Sequence, residues 1–130
     1  MSTALRNPLG IVPAYAEAAV ADGQILTVGA ADNNVAVQGA TPGASAPCLG
    51  MSMNTTSAAG ATDMVMLGIW PGIAGGSITR GDALTSDASG HCVTAAPAGG
   101  TNIAIIGFAR ASAVAGDRVP VQIAPQILQG

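Results

Sequence analysis

The sequence has little charge, few aromatic side chains and no lysine. Only 8% of its 130 residues are charged, comprising four arginines, six aspartates and one glutamate, and the formal net charge at pH 7 is −3. Aromatic residues make up 2% of the chain. Charge-driven disorder is excluded, because it needs high net charge and low hydropathy. A coiled coil is excluded as well, because it needs charged positions beside its apolar seam.

Basic clusters are also missing. The arginines lie far apart in sequence, at Arg6, Arg80, Arg110 and Arg118. Binding to nucleic acid or to an anionic membrane surface requires clustered cations. No stretch of roughly 18 uninterrupted apolar residues occurs that could span a bilayer. We therefore expect no nucleic-acid partner and no membrane partner.

Catalytic and metal-binding residue types are scarce. His91 is the single histidine, and it adjoins Cys92, so in a strand the two side chains would point to opposite faces. Cys48, the other cysteine, is far away in sequence, which favours two buried thiols but leaves a disulfide open. Phosphate-binding loops and zinc or calcium spacings are absent. We expect no enzyme activity, no catalytic residue, no cofactor and no metal.

Glycine and proline, in contrast, are frequent and spread throughout. The chain has 18 glycines and 8 prolines, and 27 of its apolar residues are alanines. Long helices tolerate neither glycine nor proline well, so short strands and tight turns are predicted. A small domain rich in alanine buries little apolar surface, so oligomerisation or docking on a partner would help to stabilise it.

An internal duplication is the most informative feature of the sequence. Three pairs of segments correspond in order, at offsets of 58, 57 and 54 residues: Val20–Thr27 with Ile78–Thr85, Leu49–Ser52 with Ile106–Ala109, and Asp63–Pro71 with Asp117–Pro125. The changes in offset fall in Gly/Ala/Ser-rich stretches, as insertions in loops do.

Both copies predict the same succession of strands. The expected strands are Ile25–Val28, Val35–Val37 and Cys48–Met53 in the first copy, and Ala83–Ser86, Cys92–Thr94 and Ile103–Phe108 in the second. A final strand in each copy alternates with period 2, through Val65, Leu67 and Ile69 and through Val119, Val121 and Ile123, so one face should be buried.

Packed together, the two copies predict an all-β fold, a small β barrel or sandwich made of two tandem pseudo-repeats. Pro120 is expected at an edge or a bulge. Trp70 and Phe108 are expected in the core, with an interface as the alternative. We predict a single β domain over residues 20–130, with repeat one at 20–71 and repeat two at 76–125.

Residues 1–19 lack both helical and strand periodicity. Pro8 and Pro13 bias the residues before them towards extended conformations. We predict an extended N-terminal arm whose apolar side chains dock on a partner, rather than a frayed terminus. The interruption of apolar runs by Pro8, Pro13 and Glu17 is unlike a signal peptide, so synthesis in the cytoplasm of the producing cell is expected.

The second copy resembles the small capsid decoration, or cement, proteins of tailed bacteriophages. In that family a strand of the form I-x-x-G-D-x-L/V, a return G-x-V-x-x-A, a strand I-G-x-A and an edge G-D-x-V-x-V follow one another. The matching stretches here are residues 76–87, 90–96, 105–109 and 115–123. Residues 20–71 match more loosely. The chain departs from the family in its alanine content and in the junction Trp70-Pro71-Gly72.

The resemblance implies a β-clip-like structural protein on the outer surface of a phage head, made in the host cytoplasm. It would bridge neighbouring major capsid proteins and stabilise the expanded shell, as a homotrimer rather than a homodimer. The arm is the expected contact with the shell, through residues Leu5, Arg6, Leu9, Ile11, Val12 and Tyr15.

Two other functions stay open at this point. One is a subunit of another viral or bacterial surface assembly, such as a fibre or adhesin module. The other is a small enzyme or sugar-binding β domain, which the scarcity of aromatic platforms and of converging polar groups disfavours.

Overall fold

Strands dominate the computed structural model, which describes residues 6–40, 42 and 46–130. No helix occurs in that part of the chain. The nine strands are β1 (Asn7–Ala16), β2 (Ile25–Val28), β3 (Asn34–Val37), β4 (Gly50–Ser52), β5 (Gly60–Ile73), β6 (Ala83–Ser86), β7 (Cys92–Thr94), β8 (Asn102–Ala109) and β9 (Arg118–Gln129). The expectation of an all-β fold is confirmed.

All nine strands form one sheet in the order β1-β3-β2-β4-β5-β9-β8-β6-β7, and β1 also pairs with β5, so the sheet closes partly into a ring. The ring closes where β1 runs parallel to β3, with Tyr15 opposite Asn34 and Ala16 opposite Val35. A corresponding closure in the second half is the parallel bridge between Ala74 and Cys92.

These pairings divide the sheet into two rings of strands. The first ring contains β1, β3, β2, β4 and residues 60–67 of β5. The second ring contains residues 68–73 of β5 with β9, β8, β6 and β7, and the Ala74–Cys92 bridge completes it. β5 therefore belongs to both rings. Gly68, at φ 108°, lies where the strand passes from one ring to the other.

Corresponding hydrogen bonds recur in the two rings at offsets of 57 and 58 residues. Gly23, at φ 88°, donates its N–H to Ser52 O, and Gly81, at φ 96°, donates to Ala109 O, each at 2.8 Å. Positive φ values favour glycine, so both turns depend on that residue. The boundaries that we placed between arm, domain and repeats stay predictions.

The third sequence match, at an offset of 54, is out of register with the pairings. Val65 pairs with Met51, and Gln122 pairs with Phe108, so Gln122 and not Val119 corresponds to Val65. The structural offset there is 57. Alternating apolar strands match one another in several registers, and the sequence alone does not show which register the neighbouring strand selects.

Two apolar clusters fill the interior. The smaller lies inside the first ring and is built on Ala16, Val20, Leu26, Val35 and Met64. The larger fills the second ring and the space between the rings. It contains Ile25, Cys48, Met51, Val65, Trp70, Ala74, Ile78, Leu84, Cys92, Ala104, Ile106, Ala109, Val119, Val121 and Ile123.

Three expectations about individual residues were wrong. Leu67 is 53% exposed instead of buried, because register shifts between β1 and β5 interrupt the alternation there. Pro120 is not at an edge or a bulge: on one side it pairs with Pro71 of β5, and on the other its carbonyl accepts a hydrogen bond from the N–H of Arg110, directly after β8. Phe108 is 39% exposed, so it does not lie in the core and the alternative of an interface stays a prediction, whereas Trp70 is buried as expected.

Candidate functional site

The exposed face of β1 is the first candidate site. Burial alternates along this strand, so that Leu9, Ile11 and Tyr15 point outward while Val12 and Ala14 pack against the smaller cluster. Leu9 is 72% exposed, Ile11 47% and Tyr15 50%. Large apolar side chains on an exposed strand are typical of a surface that another protein covers.

Strand β1 is an integral part of the first ring. It pairs with β5 from Asn7 to Ala16, antiparallel, and its end pairs with β3. Residues 7–16 are therefore extended, but they are paired within the sheet and do not form a free arm. Removing the strand would expose the smaller cluster, so single substitutions on its outward face are a sounder test of binding than a deletion.

The predicted site residues divide into three groups. Leu9, Ile11 and Tyr15 share the exposed face, and Val12 points inward. Arg6 lies over the ring of Trp70, 5.6 Å from its centroid. Leu5 lies outside the described residues. Binding of a partner by these residues stays a prediction.

Trp70 connects the start of β1 to the first turn. Its indole Nε1 donates a hydrogen bond of 2.8 Å to Asp22 Oδ1, and Arg118 Nη1 donates one of 2.6 Å to the Asp22 carbonyl. Arg6 covers the same indole, a cation–π contact. These contacts fix the N-terminal end of β1 against the second ring.

Glu17 holds the other end of β1. Its carboxylate accepts hydrogen bonds from Ala30 N (2.7 Å), Ala31 N (2.9 Å) and Asn34 Nδ2 (3.2 Å) in the β2–β3 turn. The two backbone hydrogen bonds lower the pKa of the Glu17 carboxyl below its ordinary value. This contact ties β1 to the turn that closes the first ring, and the sequence pattern gave no sign of it.

The first ring has an open end next to this turn. A cavity of about 460 Å³ lies there, bounded by β1, by the β2–β3 turn and by two side chains of the smaller cluster. Its lining residues are Val12, Pro13, Ala14, Val28, Gly29, Ala30, Ala31, Asp32, Asn33, Asn34, Val35, Leu49 and Met64. Sequence analysis missed this cavity, because it arises from ring closure between distant segments.

Reactive groups do not converge on the cavity. Cys48 and Cys92 are buried and unbonded, and burial raises the pKa of their thiols to about 11 and about 12. His91 Nδ1 lies 3.9 Å from Asp87 Oδ2 in a different turn. Within residues 6–40, 42 and 46–130, no group of three or more His, Cys, Asp or Glu side chains could hold a metal ion. A membrane-spanning helix is likewise absent from this portion of the chain.

Comparisons with known proteins give one informative likeness. No family model and no curated protein matches the sequence. Among solved structures, the chain is similar to the head fiber gp8.5 N base of bacteriophage phi29, with a TM-score of 0.65 and 22% sequence identity. The likeness covers 93% of this chain and 98% of that one, so it extends over essentially the whole fold of both.

Proposed function

We propose that this chain is a non-enzymatic structural protein on the outer surface of a bacteriophage head, made in the host cytoplasm. It binds the major capsid protein through the outward face of β1 and bridges neighbouring subunits of the shell. The observation that carries the proposal is the exposed apolar row of Leu9, Ile11 and Tyr15, on a fold shared with a phage head protein.

The physical basis is linkage. A protein that binds only the assembled, expanded lattice stabilises that lattice by mass action. Many weak contacts over one shell act together, so each contact can be modest. A homotrimer would present three such faces at once and would fit a capsid position where three subunits meet.

A second candidate is the base of a head fibre. The phi29 structure is described as a head fiber N base, and this chain covers nearly all of it. In that role the domain would still bind the shell, but it would anchor a projecting segment instead of bridging capsid proteins.

Co-sedimentation with expanded capsids tests the shared part of both candidates. We expect the purified chain to bind expanded shells and not unexpanded ones, and the bound mass per shell gives the occupancy. Ile11→Ser and Tyr15→Ser should each weaken binding, because they remove exposed apolar area without touching the smaller cluster. Val114→Ser, which changes a 59% exposed valine in a loop, is the matched control.

The heat resistance of the shell separates the two candidates. Both proteins should raise the temperature at which expanded shells disassemble, because both bind the expanded lattice. A rise greater than the measured affinity accounts for indicates bridging of neighbouring subunits and a decoration protein, whereas a rise that matches the affinity indicates a fibre base. Absence of any binding to shells would overturn both.

A further inference from the structure

Within the chain, the first ring packs against one end of the second ring. An equivalent contact could form between two copies of the chain. Ile25, Met51 and Val65 belong to strands of the first ring, yet they are buried in the larger cluster that fills the second ring. The side chain of Met51 lies at the end of the second ring, beside Gly72. A β-carbon at Gly72 would lie 2.9 Å from Met51 Cε and 2.7 Å from Cys92 Sγ. The first ring thus closes the end of the second.

The β6–β7 turn of the second ring completes this contact. Ile25 N donates a hydrogen bond of 2.8 Å to Gly90 O, and Gln24 Nε2 donates one of 2.9 Å to Ser89 O. The outward face of the first ring and the end of the second are therefore joined in two ways. The apolar side chain of Met51, which we call the plug of its ring, fills the end, and hydrogen bonds connect the first ring to the β6–β7 turn.

The end of the first ring corresponds to the filled end of the second, but in the part of the chain that the structure describes it is open. The pairings match Ala14 with Gly72 and Val35 with Cys92. Both Ala14 and Val35 line the cavity of about 460 Å³. The β2–β3 turn beside the cavity takes the place of the β6–β7 turn.

The second ring has an outward face equivalent to the face of the first ring that carries Met51. Phe108 corresponds to Met51, because each pairs with the equivalent residue of the preceding strand, Ala83 and Ile25 respectively. Unlike Met51, which is fully buried, Phe108 is 39% exposed. Within residues 6–40, 42 and 46–130, no side chain fills the end of the first ring, and Phe108 on the second ring remains partly exposed.

We propose that Phe108 of one copy of this chain enters the open end of the first ring of a second copy, head to tail. The charges agree with this occupant. Asp32 lines the open end, and Arg110 lies two residues beyond Phe108, with its Nη1 3.2 Å from Gln122 Oε1. Such a contact joins two different surfaces, so it either closes into a ring of copies or continues as a filament. Closure after three copies would form the homotrimer.

Two charge substitutions and their mixture test the proposal. Phe108→Asp places a charge on the plug, and Val28→Asp places one at the rim of the cavity beside Asp32; both wild-type side chains are substantially exposed. Sedimentation velocity of the full chain should show wild type as an oligomer and each variant alone as a monomer. An equimolar mixture should form a dimer, because one intact plug and one intact cavity remain.

The mixture distinguishes this contact from a symmetric one. A wild-type monomer, a variant that stays oligomeric, or a mixture that stays monomeric would each overturn the proposal. Val114→Ser is the control and should leave the oligomer intact. Circular dichroism checks folding, and Phe108→Ser with Val28→Ser replace any variant that does not fold. The assay contains no capsid, so its failure leaves the proposed binding to shells untouched.

Discussion

At the residue scale, the β2–β3 turn and the β6–β7 turn are equivalent, and a carboxylate accepts hydrogen bonds from the backbone of each. The acid that supplies the carboxylate occupies a different position in the two rings. In the first ring the carboxylate of Glu17 lies against Gly29 and accepts two backbone N–H groups. In the second ring the corresponding residues are Gly75 and Asp87. Asp87 lies against Gly75 and accepts hydrogen bonds from Ser89 N and His91 N. Each ring therefore keeps one carboxylate and one glycine, because two side chains would not fit.

Glu17 should make stability depend on pH. Its folded-state pKa is lowered by the backbone hydrogen bonds, so its contribution is present above the ordinary value of 4.5 and is lost as pH falls through the lower, folded value. We expect the free energy of unfolding to decrease on acidification in that range, and the decrease to be smaller in Glu17→Gln. Urea unfolding at a series of pH values measures this. Asp63→Asn, which changes an exposed carboxylate on β5, is the control, and an equal loss in both variants would contradict the role of Glu17.

The cysteines should be unreactive while the protein is folded. Burial raises the pKa values of Cys48 and Cys92 to about 11 and about 12, so almost no thiolate forms at neutral pH. An aromatic disulfide reagent should modify neither thiol in buffer and both in denaturant. Rapid modification of the native protein would show that the thiols are accessible.

At the scale of the strand, β2, β6 and β7 were predicted with their observed bounds, because tight turns rich in Asp, Asn and Gly mark their ends. The partner of β1 was not predictable. Its pairing with β5 joins Val12 to Met64, over fifty residues apart, and nothing local encodes such a contact. The same holds for the site: Leu9, Ile11 and Tyr15 could be chosen as apolar residues, but only ring closure decides that Val12 points inward.

Gly68 should be indispensable for the passage of β5 between the rings. It has φ 108°, and a β-carbon there would lie 2.5 Å from Asn7 O and 2.7 Å from Leu9 N. We expect Gly68→Ala to lower the free energy of unfolding by about 1–3 kcal/mol or more, from backbone strain and displacement of β1. Gly60→Ala, in the same strand with open space around it, is the control and should change stability far less. Chemical denaturation measures both, and equal effects would contradict the role of Gly68.

At the scale of the whole molecule, the two rings share a strand and a core, so they should unfold together. Trp70, the single tryptophan, reports on the second ring by fluorescence, and far-ultraviolet circular dichroism reports on all strands. We expect the two denaturation curves to coincide. Separate transitions would show that the rings are independent units.

Met51 should contribute strongly to that common core. It is fully buried between the rings, so Met51→Ala should cost about 2–5 kcal/mol through lost contacts and the cavity left behind. Met66, 41% exposed on β5, provides the control, and Met66→Ala should change stability by about 0.5 kcal/mol or less. A small effect at Met51 would mean that the rings barely depend on each other.

The uninterrupted course of β5 also has a mechanical consequence. A force that pulls the two rings apart acts along the covalent backbone of this strand. The hydrogen bonds of β5 to β1 and to β9 are then loaded in shear, and the force is distributed over all of them. If a flexible linker joined the two rings instead, the linker would extend first, and the interface between the rings would separate one contact at a time. Tension between the two rings would thus be resisted without an elastic joint.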